Sequence, residues 1–106
     1  MLMEIKQETR VGWLIVTPVG RADASSADSL EMALVTAAQT NEKIAVDLTG
    51  LSYVSSAGLR AILQGARSAQ QRTAEFVLCC PTPNVKSVFD ISGIQQVVRV
   101  EGVLPC

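Results

Sequence analysis

The chain has 106 residues, of which 48% are apolar and 18% charged, and its net charge is −1. That is the length and composition of one domain with a packed core, spanning 1–106, and it excludes a disordered chain. Scattered basic residues exclude a nucleic-acid footprint, no apolar run approaches the ~20 residues of a membrane span, and the charged opening MLMEIKQETR lacks a signal peptide's apolar centre, so a cytoplasmic protein outside the membrane is expected.

Met3 to Thr9 alternates, with Met3, Ile5 and Gln7 on one side and Glu4, Lys6 and Glu8 on the other, as in a half-buried strand. Arg10-Val11-Gly12 can turn the chain, and the β-formers of Trp13 to Val19 supply a hairpin partner that Pro18 and Gly20 bring to an end. Asp23, Ser25 and Ser26 are helix-start residues, followed by one apolar stripe of Leu30, Ala33, Leu34, Ala37 and Ala38. Ile44 to Leu48 reads as a central strand, and Thr49-Gly50 breaks it. After the paired hydroxyls Ser55 and Ser56 comes the clearest helix. Leu59, Ile62, Leu63 and Ala66 lie on its core face, and Arg60, Gln64, Arg67 and Gln71 on its wet face. Ala74 to Cys80 is a further buried strand. Asn84 then caps a short helix whose inner face is Val85, Val88 and Phe89, and Gly93 suits its left-handed end. Gln96 to Val100 is the last strand. The order β-β-α-β-α-β-α-β predicts an α/β domain with a mixed sheet, in which the opening hairpin is antiparallel and the β-α-β units are parallel.

Little in the chain suggests an enzyme. There is no histidine, which removes the commonest general base and the commonest metal ligand, and neither a metal nor a cofactor is expected. Val54 stands two residues before Ser56, so the G-x-S-x-G elbow is absent, as are a P-loop and a G-x-G-x-x-G fingerprint. Lys43 and Lys86 have no sequence link to Ser56, and Asp23 and Asp47 fit turns better than a catalytic pair. No catalytic residue is therefore assigned. Cys79, Cys80 and Cys106 form no disulfide framework, and Cys79-Cys80 ends an apolar run as small hydrophobes.

The serines admit two readings. Ser56 can cap the helix behind it, worth ~1 kcal/mol, with Gly58 relieving crowding or admitting another backbone. It can also accept a phosphate of charge roughly −1.5 to −2, which a helix N-terminus tolerates. The fold would then stay and the surface would change, which suits a binding switch.

The stretch D-L-T-G-L-S-Y-V-S-S-A-G-L-R, with G-R-A-D-A before it and V-K-S-V-F-D-I-S-G-I after it, resembles the STAS domain family in its bacterial anti-sigma-factor antagonist branch. The resemblance implies a small cytoplasmic α/β regulator, an anti-anti-sigma factor with no catalysis of its own. Unphosphorylated, such a protein binds an anti-sigma factor, often a serine protein kinase, and so frees a sigma factor. The kinase switches it off by phosphorylating one serine, and a serine phosphatase restores it. That serine falls on Ser56, with Ser55 the neighbouring choice. Asp23 matches the family's acid at the docking surface, Gly58 and Leu59 open the second helix, and Arg60 and Gln64 lie where a partner would touch. One departure is the ending E-G-V-L-P-C, which leaves no room for a further helix. The expected consequence is a less covered apolar surface, and hence a homodimer or a partner segment over it. The rival roles are a STAS scaffold of a stress-signalling complex, an accessory subunit of a transport system, and a small-anion binder at the helix start.

Overall fold

The computed structural model describes residues 3–105; Met1, Leu2 and Cys106 lie outside the described residues. The hairpin forms as the alternation requires. β1 (Glu4–Arg10) runs antiparallel to β2 (Trp13–Ala22), in register from Glu4 opposite Val19 to Arg10 opposite Trp13. Val11 and Gly12 both take positive φ (51° and 83°), the two-residue turn whose twist suits a hairpin. β2 does not stop at Pro18-Gly20 but continues to Ala22.

β3 (Lys43–Asp47) lies parallel to β2, β5 (Glu75–Cys79) parallel to β3, and β6 (Arg99–Glu101) parallel to β5. Between them the sequence reading missed a strand. β4 (Leu51–Val54) pairs in parallel with the far end of β2, Gly20 to Ala22. It resumes beside β2 where β3 left off, after an interruption at Leu48–Gly50 that bonds to both neighbours: Leu48 N–H donates to Cys79 O and Gly20 N–H to Gly50 O, each at 2.9 Å. β2 needs its extra length to hold β4, so the two differences have one cause. The expected last strand is also corrected: Ile94–Gln96 is a turn of 3-10 helix, and only Arg99–Glu101 is extended.

The helices α1 (Ala27–Thr40), α2 (Ser56–Gln71) and α3 (Pro83–Ser92) share one core. Leu30 and Leu34, Ile62 and Ala66, and Val85 and Phe89 meet Val16, Ile44, Val46 and Leu78, which all point to one face of the sheet. At 25 cal/mol per Å², full burial of one such side chain contributes about 1.5–3 kcal/mol. α3 begins one residue pair earlier than expected: Thr82, not Asn84, is its cap, and Pro83 occupies the first helical position. Gly93 ends it at φ 75°, as its position suggests.

The opposite face carries no helix among the described residues, yet it is not open. Trp13, Ile15, Ala45, Val77 and Cys79 are all at most 8% exposed, with Cys80 and Leu104 packed on them. Charged pairs rim this patch at i, i+2 spacing, which puts both members on one face of a strand: Glu4 with Lys6, Glu8 with Arg10, Arg99 with Glu101. Among the described residues the segment after β6 holds no helix, and it lies back on the sheet through Leu104. The bare apolar surface on which self-association was expected to rest is therefore absent from this face.

Candidate functional site

Each helix starts just beyond the carboxyl end of a parallel strand: α1 after β2, α2 after β4 and α3 after β5. In open α/β sheets this is the end that binds. The start of α2 is fastened to the end of β2, because Ser55 N–H donates to Ala22 O at 2.8 Å.

Ser55 has extended backbone (ψ 177°) and is the true cap of α2: its Oγ accepts from Gly58 N–H at 3.3 Å. This corrects the assignment of the cap to Ser56. Ser56 is the first helical residue, it is exposed, and among the described residues its hydroxyl makes no hydrogen bond. Gly58 is buried, and its place is set by packing against β2. A Cβ there would lie 2.5 Å from Ala22 O and 2.8 Å from Ala22 Cβ, so the glycine exists to let β2 press against the helix.

Ser56 stands on a ridge between two grooves. The first, about 320 Å³, runs between α1 and α2 and is lined by Ala24, Asp28 and Glu31 on one side and Ala57 and Arg60 on the other. The second, about 310 Å³, runs down the outside of α2 past Leu59, Arg60, Leu63, Gln64 and Arg67. The structure thus brings together Ser56, Leu59, Arg60 and Gln64 as expected, and adds Asp28, Glu31, Leu63 and Arg67.

Asp23 lies in the β2–α1 loop, beside Ala22, but its carboxylate is engaged in its own turn. Oδ1 accepts from Ser25 N–H at 3.0 Å and from Ser25 Oγ at 2.6 Å, and Arg21 Nε is 3.8 Å from Oδ2. The Ser25 bonds, with the Arg21 charge, hold its carboxyl below the usual carboxylate value. Ser26 is buried and does not cap α1 with its side chain. Its Oγ donates to Arg21 O at 2.6 Å and accepts from Asp23 N–H at 3.0 Å, which locks the loop. Arg21 also stacks on Tyr53, its register partner in β4, at 4.2 Å from the ring centroid. That pair could be found from sequence only by knowing that β4 exists. Cys79 is buried, and burial, with smaller pushes from Cys80, Asp47 and Glu101, raises its thiol to about 12.

The STAS domain model matches residues 3–104, and the chain belongs to that family. Among curated proteins it is 35% identical over 99 residues to BtrV of Bordetella bronchiseptica, whose name places it provisionally among anti-sigma factor antagonists; the match covers 92% of this chain and 85% of that protein. An anti-sigma factor antagonist from Mycobacterium paratuberculosis has the same fold, at a TM-score of 0.85 with 19% identity, covering 96% of this chain and 87% of the other. So does SpoIIAA of Bacillus in its phosphorylated form, at a TM-score of 0.69 with 19% identity, covering 92% and 90%. Among the described residues no helix is long and apolar enough to cross a membrane.

Proposed function

We propose that the chain is an anti-sigma-factor antagonist of the cytoplasm, a regulator and not an enzyme. Its unphosphorylated form binds an anti-sigma factor that is also a serine protein kinase, and a sigma factor is released. The kinase transfers the γ-phosphoryl group of ATP to Ser56 Oγ, which ends binding, and a serine phosphatase hydrolyses the ester. One observation carries the reading: Ser55 does the capping, so the exposed hydroxyl of Ser56 is left over at a helix start without a structural task. The name of the 35%-identical BtrV supports the class of partner. A phosphate at the first helical position is tolerated by the helix dipole, so the modification alters the surface and not the fold.

The test is capture from source cytosol with wild type, Ser56→Ala and Ser56→Asp as baits. A histidine-kinase-like ATPase of the anti-sigma type is expected with wild type and Ser56→Ala, at affinity lowered about tenfold or more for Ser56→Asp. A catch of related STAS proteins, or of a transporter ATPase, indifferent to residue 56 would replace this reading with a scaffold or accessory subunit.

A further inference from the structure

The charge of the chain is unevenly laid out. Net charge is −1, yet no Asp or Glu occurs from residue 48 to residue 74. All of α2 lies in that gap. Helices favour an acid in the first turn, where it offsets the positive end of the dipole, and α2 has none. It carries Arg60 and Arg67 instead. Both are exposed, and neither is in an ion pair or a side-chain hydrogen bond among the described residues. Arg72 is different, since its guanidinium donates to Ala38 O at 2.6 Å and Asn41 O at 3.0 Å and ties the helix end to α1.

Arg60 and Arg67 lie along one groove with Leu59 and Leu63, both only half-buried, and Ser56 is at the head of that groove. The residues are spaced at helical turns, so the strip is apolar along its floor and cationic along its edge. No acid lines it. Asp28 and Glu31 share the other groove with Ser56.

We propose that this outer strip of α2 docks an acidic and apolar face of the partner, and that a phosphate on Ser56 competes with the partner's carboxylates for the same positive charge. The inference rests on the antagonist reading and gives the partner's surface its chemistry. Arg60, one turn after Ser56, is placed to pair with the phosphate. Asp28 and Glu31 repel that phosphate from the α1 side and direct it onto the strip. Once it is there, the strip's charge is cancelled and a carboxylate opposite meets a like charge at the groove head. Arg67 lies about two turns beyond Arg60 and anchors the far end of the contact.

The experiment uses the purified anti-sigma-type ATPases of the source organism, each titrated by calorimetry against the full chain and against Arg67→Glu, Arg67→Gln and Arg67→Lys. Arg67 is exposed and off the core, so unchanged thermal melts are expected for all three. With an ATPase that binds wild type, Arg67→Glu should weaken binding about tenfold or more, Arg67→Lys should stay within about threefold, and wild-type affinity should fall as salt rises from roughly 0.05 to 0.5 M. If such an ATPase binds Arg67→Glu as well as wild type, or with no salt dependence, the cationic strip is refuted while the antagonist reading stands. If no ATPase binds wild type, the antagonist reading itself fails and the strip falls with it.

Discussion

The starts of α2 and α3 are built alike up to one residue. Each follows a parallel strand, each has a hydroxyl cap, and each cap accepts from the N–H three residues on: Ser55 from Gly58 at 3.3 Å, Thr82 from Val85 at 3.4 Å. They part at the next position. α3 places Pro83 there, which has no N–H to leave unsatisfied and nothing to modify. α2 places Ser56, whose hydroxyl is exposed and unbonded among the described residues. Capping needs one hydroxyl, and α3 shows that it needs no second. The adjacent serine of α2 is therefore available for chemistry, and this is the strongest structural argument for a switch at that helix.

The third helical position separates the two starts further. In α3 it is Val85, fully buried, with room for its whole side chain. In α2 it is Gly58, where even a Cβ would meet Ala22 O at 2.5 Å and Val54 Cγ2 at 2.9 Å. Gly58→Ala should therefore cost about 3 kcal/mol, through a shift of β2 away from the helix. Urea melts measure it. A cost below about 1 kcal/mol would show that the β2–α2 contact is loose, and that the serine loop is not held in place by it.

The hydroxyls give the middle-sized effects. Thr82→Ala should cost about 2 kcal/mol, because Thr82 Oγ1 accepts from Val85 N–H and also donates to Leu51 O at 3.1 Å, joining α3 to β4. Ser55→Ala should cost about 1 kcal/mol, the value of a cap alone. Ser56→Ala should cost less than about 0.5 kcal/mol, as for an exposed side chain without partners. Equal losses for Ser55→Ala and Ser56→Ala would break the comparison and make both serines structural.

These contrasts also show what the sequence could and could not disclose. The three helices and the opening hairpin were legible because their apolar residues recur at periods of 3.6 and 2 over many positions, as Leu30, Leu34, Ala37 and Ala38 do in α1. β4 was not legible. Leu51-Ser52-Tyr53-Val54 is four residues long, only its ends are buried, and its pairing depends on β2 running on past a proline and a glycine. The cap of α2 was misplaced by one residue because Ser55 and Ser56 have identical side chains, and only backbone geometry distinguishes the extended cap from the first helical residue. Ser56, Leu59, Arg60 and Gln64 were found together because they share a helix. Asp28 and Glu31 were missed because their place beside Ser56 depends on how α1 packs against α2, which no local pattern encodes. The role of Gly58 was half-legible: the sequence allowed a close approach, but only the fold names Ala22 as the backbone that approaches.

The smallest expected effect concerns the loop that reaches the start of α2 and has no equivalent at α3. Asp23 is held below its ordinary carboxylate value of 3.8, first by the Ser25 side-chain bond and then by the Ser25 backbone bond. A carboxyl whose folded value is depressed contributes stability above its unfolded value, and loses it as pH falls through the folded one. Wild type should therefore be slightly more stable than Asp23→Asn at neutral pH, and should lose that margin between about pH 5 and about pH 2, where the two converge. Melting temperatures across that range, on the unphosphorylated chain, provide the measurement. If the two acid limbs are parallel, the Asp23 turn is not formed in solution, and the carboxylate is then free to face a partner beside Ser56. If they converge as expected, Asp23 acts by shaping the β2–α1 loop against Ser55. The charged contacts with a partner then fall to the residues of α2, which sharpens the contrast between a helix start that is merely capped and one that is left open to modification.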